Sequence, residues 1–403
     1  MDIRSIKPDE FRAFASVWER TFNFDGKDEE LELEAKVHEF DRSIVVVEDG
    51  DFVGTGGAFS FDLTVPGGSV PAAGLTAIAV LPTHRRKGVL TSMMRYHFAD
   101  VQAREEPLAL LRASESVIYG RLGYGISTHE ASWEIAKRDA AFEPGTGTPG
   151  TVSLVGTDRA RRILPDLYAE AALTTPGFLS RREAVWDHMF ADLESWRGGF
   201  TANRFAIYEE EGTALGYLRY RAKETWEHNL PKNEILASEL IALTPMAEAA
   251  LWQFVFSMDL VEKIRTQNRP IQELLSVLLS DSRRLSSRRV DGLWARLMDV
   301  PAALSARRYR TEGRLVIEVD DRFLPEQGGR FSLEGGPDGA ECRRSTDDAD
   351  LVVDAGVLGS RYLGGGSFSL YQQAGRVHGS PEAVRRADTM FSWHVEPWCP
   401  HYF

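Results

Sequence analysis

Residues 75–95, LTAIAVLPTHRRKGVLTSMMR, constrain the chain more than any other stretch. A short apolar run with β-branched Ile78 and Val80 reads as a strand that stops at Pro82. Arg85-Arg86-Lys87-Gly88-Val89-Leu90 follows as a basic, glycine-bearing turn. After it, Leu90, Met93, Met94, Tyr96 and His97 follow at helical spacing. Strand, glycine turn and helix start together aim several backbone N–H groups at one phosphate. Gly88 permits close approach of the backbone, while Arg85 and Arg86 add positive charge. The spacing matches neither the dinucleotide fingerprint nor the P-loop, so neither NAD nor ATP is implied.

The turn resembles the acetyl-CoA pyrophosphate loop of the GNAT superfamily of N-acetyltransferases, written Gln/Arg-x-x-Gly-x-Gly/Ala. Here it stands as Arg85-x-x-Gly88-x-Leu90, with leucine where the pattern has a small residue. Residues 111–125, LRASESVIYGRLGYG, add a second likeness. Ile118-Tyr119-Gly120-Arg121-Leu122-Gly123-Tyr124 resembles the aromatic-Tyr-x-x-x-Gly-aromatic pattern of the superfamily, with isoleucine at the first position. The resemblance implies acetyl-CoA as donor and CoA as product, held by the turn from Arg85 to Leu90 with Lys87 and Val89 in it. It implies that the strand residues Ile78, Ala79 and Val80 offer backbone groups to the thioester and the pantetheine arm. Ser114 is placed to bond to CoA or to Tyr119. Tyr119 is the expected general acid for the leaving thiolate, a task suited to a phenol whose ordinary pKa is about 10.

Taken with DGLWARLMDVPAALSARRY at 291–309, these strings resemble the enhanced intracellular survival (Eis) family of bacterial acetyltransferases. That resemblance implies α/β and α+β architecture in three parts. Residues 1–140 would form an active GNAT domain and 151–288 a degenerate second GNAT domain. Residues 289–403 would form a sterol-carrier-protein-like α+β domain. It also implies a homohexamer and acetylation of amines on cationic acceptors such as aminoglycosides, lysine peptides or polyamines. The general base is expected to be the terminal carboxylate, here that of Phe403. An α-carboxyl has an ordinary pKa of about 3.5, so burial must raise it for that role. His401 is a rival base of near-neutral pKa. Phe22 and Asp25, in the first helix-to-loop region, are the expected acceptor-side residues.

The net charge of −13 argues against nucleic acid as main partner, because no strong basic tract offsets it. Two cysteines, Cys342 and Cys399, form neither a disulfide framework nor zinc spacing, and a cytoplasmic location is expected. No metal site is expected, and no apolar run is long enough to span a bilayer.

Residues 44–60 read as a hairpin around Glu48-Asp49-Gly50-Asp51, and residues 139–151 read as a linker rich in Gly, Pro and Thr. Leu240-Ile241-Ala242-Leu243-Thr244-Pro245 echoes 77–82, but the residues after it lack the arginines and the glycine. Glu248 would repel phosphate there, so a second repeat should not bind acetyl-CoA. In the third part, strands are expected near 314–319, 330–334 and 350–354, with a helix at 381–393 and another starting at Pro301. Two other readings stand beside acetyl transfer. Paired GNAT domains with a terminal carboxylate also resemble N-myristoyltransferases, which use a longer acyl-CoA. A non-catalytic lipid-binding or scaffold protein is the other, opposed by intact Arg85, Arg86, Gly88 and Tyr119.

Overall fold

A computed structural model describes residues 1–143 and 149–403, so the linker reading at 139–151 lies partly outside the described residues. The chain divides into two compact units. One comprises Met1–Thr128, Leu293–Pro397 and His401–Phe403; the other comprises His129–Gly292 and Trp398–Pro400.

In the first unit, among the described residues, a seven-stranded mixed sheet carries the functional elements. Its order is Asp2–Ser5, Ile44–Glu48, Asp51–Val65, Gly68–Val80, Leu108–Arg112, Leu293–Leu297, Gly125–Ile126. The hairpin read at 44–60 is present, and its second strand runs on to Val65. Helix Val89–Ala103 buries Met93, Met94 and His97 from the predicted stripe, and Phe98 and Val101 besides, while Tyr96 of that stripe is exposed. Phe98 joins Tyr119, Leu122, Tyr124 and Trp294 in one buried cluster with Leu75 and Leu111. Strand Leu293–Leu297 was expected to open the third part. It lies instead in the first sheet, pairing with Leu108–Arg112 on one side and Gly125–Ile126 on the other. Its fully buried run explains the placement, since a strand covered on both faces needs neighbours on both edges.

The rest of the third part forms a five-stranded sheet with Gly313–Asp320 at its centre, flanked by Gly329–Gly336 and Leu351–Asp354. Strand Gly339–Arg344 was not anticipated from the sequence; its paired residues are mostly exposed and charged. Helices Val300–Ser305 and Pro381–Phe391 fall where Pro301 and the 381–393 pattern placed them. The interior holds Arg307, wholly buried, whose guanidinium donates to the carbonyls of Arg308, Arg361, Tyr362 and Phe391.

The second unit has its own seven-stranded sheet, with Asn233–Ala242 and Val261–Arg269 parallel at its centre. Two buried ion pairs lie at the ends of these strands, Arg181–Glu239 at 2.6 Å and Arg269–Glu273 at 2.9 Å. Burial alone would raise the Glu239 carboxyl, yet Arg181 and a bond from Tyr217 hold it down at about 2. Trp398 docks in the same unit, 5.2 Å from the Arg269 guanidinium and 5.5 Å from the Phe178 ring. No helix among the described residues is long and apolar enough to cross a membrane.

Candidate active site

The strand Gly68–Val80 is parallel to Leu108–Arg112 only from Ala72 to Leu75. Beyond Leu75 it leaves that partner, and a bulge accompanies the departure. Thr55 pairs with Ala79 and Gly57 with Thr76, so Ala77 and Ile78 stand opposite the single residue Gly56. Ala77 takes a left-handed φ of 51°, rare for a residue with a side chain, and Thr55 Oγ1 donates to its carbonyl at 3.0 Å. The bulge interrupts the regular pairing of this stretch.

A cavity of about 630 Å³ lies against this stretch. Ile78 and Val80 border it from the strand, and Arg85, Arg86, Gly88, Val89 and Leu90 from the turn and helix start. Ser114, Ile118, Tyr119, Arg121 and Leu122 form the opposite wall, and Phe22 reaches its rim. The turn alternates extended and left-handed backbone: Arg85 has ψ 151°, Arg86 φ 63° and Gly88 φ 85°. Gly88 caps the helix Val89–Ala103, and a Cβ added there would meet nothing within 4 Å. So the glycine serves its left-handed φ and leaves space open above the first helical N–H groups. Such a concave run of amides at a helix N-terminus, with two exposed arginines, fits a pyrophosphate. His84 is occupied elsewhere, paired to Glu48 at 2.9 Å and to Thr83 at 2.8 Å.

Tyr119 ends the short helix Ser116–Tyr119, with its side chain nearly buried. Burial pushes its phenol pKa up, and a hydrogen bond with Ser114 pulls the other way without cancelling the rise. Tyr119 therefore holds its proton at neutral pH. Tyr124 packs edge-on to Tyr119 at 6.2 Å, but its buried hydroxyl has no partner among the described residues and does not line the cavity.

The last residues, His401–Phe403, belong to the same unit. Arg112 donates to the His401 carbonyl at 3.0 Å and lies 5.0 Å from the Tyr402 ring centre. The Phe403 ring packs 5.0 Å from Phe61 and would sit 2.9 Å from a Cβ on Gly74. His401 is buried against Phe61 at 5.4 Å. Close by, Trp18, His38, Phe11, Phe14 and Phe59 form a continuous aromatic cluster. Burial lowers the His38 pKa to about 4, so it is neutral at pH 7, with Nδ1 3.3 Å from Ser43 Oγ.

Four expected site residues do not line the cavity, and Phe403, packed on Phe61, is one of them. Ala79 is buried in the strand and Lys87 is exposed on the turn; neither borders it. Asp25 lies in the exposed loop after Asn23 and does not line it either. Alternation along the strand explains Ala79, because Ile78 and Val80 point to the face that Ala79 leaves. Two contributors went unnoticed in the sequence: the bulge at Ala77, which alanine does not advertise, and Phe323, which lines the cavity from a loop far downstream.

The second unit offers a contrast. Helix Pro245–Ser257 begins with Thr244, whose hydroxyl accepts from Ala247 N at 3.1 Å, and carries Glu248 in its first turn. One of its first amides is thus taken by a side-chain oxygen, and the turn has neither the arginines nor the glycine of its counterpart.

Comparison with known proteins agrees with this geometry. Models described as acetyltransferase (GNAT) domain match residues 2–127 and 177–297, and a sterol carrier protein domain model matches 300–400. An uncharacterized N-acetyltransferase of Streptomyces avermitilis is 41% identical over 408 residues, covering 100% of this chain and 99% of that one. The N-acetyltransferase Eis of Mycobacterium tuberculosis is 37% identical over 366 residues, 87% of each chain. The crystal structure of Eis1 from Mycobacterium abscessus superposes with a TM-score of 0.87 at 32% identity, covering 100% of both chains. Full-length likeness at this identity, two GNAT folds and a sterol-carrier-like end lead to one assignment: the chain belongs to the Eis family of GNAT N-acetyltransferases and is an acetyltransferase.

Proposed function

We propose that this enzyme moves the acetyl group of acetyl-CoA directly to a primary amine of a cationic acceptor, an aminoglycoside, a polyamine or a lysine side chain. The observation that carries the reading is the single cavity that joins the left-handed Arg86–Gly88 turn, the bulged strand at Ile78 and the Tyr119 hydroxyl. Acetyl-CoA supplies the activated thioester. The Arg86–Gly88 turn binds its pyrophosphate through backbone amides, with Arg85 and Arg86 neutralising charge. Backbone groups at the bulge orient the reacting carbonyl and stabilise charge on its oxygen. Tyr119 holds a proton on its hydroxyl for the departing sulfur, and Ser114 fixes that hydroxyl in place. The Phe403 carboxylate takes the proton of the attacking ammonium, in a tail held by Arg112, Phe61 and Phe59. Phe22 on the cavity rim contacts the acceptor. The second GNAT fold binds no acetyl-CoA, because its turn lacks the arginines and glycine. Assembly as a homohexamer in the cytoplasm belongs to the same reading, and light scattering over a concentration series tests the assembly.

A thiol-release assay with acetyl-CoA against polyamines, aminoglycosides and lysine peptides tests the function. CoA release that depends on one of these amines supports it. Release with none of them, or only with a longer acyl-CoA, refutes it.

A further inference from the structure

Phe323 belongs to the sterol-carrier-like segment, yet it borders the same cavity as Tyr119 and Gly88. Its position is built. Asp321 accepts hydrogen bonds from the backbone N–H of Phe323 at 3.1 Å and of Leu324 at 2.9 Å. The other Asp321 oxygen pairs with Arg296, a wholly buried arginine on the strand Leu293–Leu297. Arg296 also donates to the Leu122 carbonyl at 2.7 Å, and Leu122 is in the cavity wall. One guanidinium thus ties the Phe323 loop to the wall it faces. Gly123 makes room for it, since a Cβ there would stand 1.7 Å from Arg296 Nη1. Phe98 packs on the Phe323 ring at 5.8 Å and Arg95 at 5.1 Å, and the half-buried ring's remaining surface borders the cavity.

Arg121 stands beside it. It lines this cavity and also a second one of about 630 Å³, which Phe323 shares and which holds Arg322 and Arg376. Arg376 is spent on Asp354 at 2.8 Å, and Arg322 faces Asp320 at 3.3 Å. Arg121 makes no ion pair among the described residues and keeps its donors for a ligand. So the cavity offers, besides the pyrophosphate turn, an aromatic ring on a rigid mount and a guanidinium that shares its lining. A purine stacks on such a ring, and a phosphate monoester pairs with such a cation.

We propose that Phe323 and Arg121 form the adenosine 3′-phosphate end of the donor site, with the sterol-carrier-like segment supplying the stacking wall. The proposal rests on acetyl-CoA being the donor. It gives the C-terminal segment a part in choosing the donor: full CoA thioesters are held more tightly than those lacking the nucleotide or its 3′-phosphate.

Calorimetry on the full chain, with CoA, 3′-dephospho-CoA and 4′-phosphopantetheine as probes, tests it. Wild type should prefer CoA to 3′-dephospho-CoA by about tenfold. Arg121→Gln should erase that preference by weakening CoA alone. Phe323→Leu, which keeps an apolar side chain against Phe98, should weaken CoA and 3′-dephospho-CoA alike by about tenfold and leave phosphopantetheine within twofold. Phe323→Tyr should behave as wild type. Equal weakening of all three ligands in Phe323→Leu, or no weakening of any, overturns the inference alone. A wild type that binds no CoA overturns it together with the donor reading.

Discussion

Arg296 and Asp321 form an ion pair in which the two side chains are 0% and 3% exposed. Removing one partner leaves the other charged and buried, which typically costs about 3–5 kcal/mol. Asp321→Ala should therefore destabilise the chain by about that amount, read by urea unfolding. Arg296→Met combined with Asp321→Leu should recover most of the loss. A single variant within about 0.5 kcal/mol of wild type would show that water reaches the pair.

Tyr119→Phe should bind CoA as wild type does and turn over about 10²–10⁴ times more slowly, the usual cost of losing a general acid. Tyr124 is no substitute, because its hydroxyl is sealed away from the cavity. Turnover within a few-fold of wild type would remove Tyr119 from proton transfer.

At Gly88 two substitutions separate backbone from charge. Alanine meets no neighbour but must hold φ 85°, a strain of about 1 kcal/mol, so CoA affinity should fall only modestly. Glutamate fills the open space above the helix start with like charge, and binding should vanish while the protein stays folded. Wild type should take up one CoA per chain in calorimetry; two equivalent sites would contradict the difference between the Gly88 and Glu248 turns.

A C-terminal affinity tag keeps every residue but turns the Phe403 carboxylate into an amide. Activity should collapse while CoA binding persists, and an N-terminal tag should be harmless. His401→Ala separates the rival base, since a histidine base predicts loss in that variant and tolerance of the tag. Full activity in the tagged enzyme would leave the tail with packing alone.

Two buried histidines set an acid limit. Burial lowers His38 to about 4, against smaller opposing effects of Glu34 and Glu39, and lowers His97 to about 3, with Arg42 adding to it. Both lie below the ordinary value of about 6.5, so the unfolded chain binds these protons first. The neutral-histidine stability is complete above about pH 7 and is lost as pH falls from about 6.5 toward 4. By pH 5 each histidine should cost about 2 kcal/mol. His97 Nε2 has no hydrogen-bond partner among the described residues, so His97→Leu should flatten the fall in melting temperature between pH 7 and 5. An unchanged slope would show that His97 does not set it.

The parts of this site that depend on local chemistry were legible in the sequence. Gly88 announces a left-handed turn, Pro82 ends a strand, and the run from Leu90 to His97 marks the buried side of a helix. Tyr119 and Ser114 stand five residues apart in one short connection. Contributions that depend on distant pairing were not legible. Ala77 bulges because its strand must part from Leu108–Arg112, and alanine carries no sign of that. Phe323 reaches the cavity, and Arg296 its wall residue Leu122, through contacts across roughly two hundred residues of chain, and no periodicity encodes such a contact. Lys87 and Ala79 do not line the cavity, because a motif marks a stretch of backbone and not which of its side chains turn inward.

The hydrogen bond from Leu293 N to Thr128 Oγ1 spans 165 residues of sequence, and the whole second unit lies between its ends apart from Trp398–Pro400. On the ribosome, strand Gly125–Ile126 must wait for that insertion before its neighbour Leu293–Leu297 exists. At about 5–20 residues per second the wait lasts roughly ten to thirty seconds. Through that interval the nascent acetyl-CoA fold has an unpaired sheet edge at Leu108–Arg112, which makes the first unit the last to close and the one most in need of a chaperone.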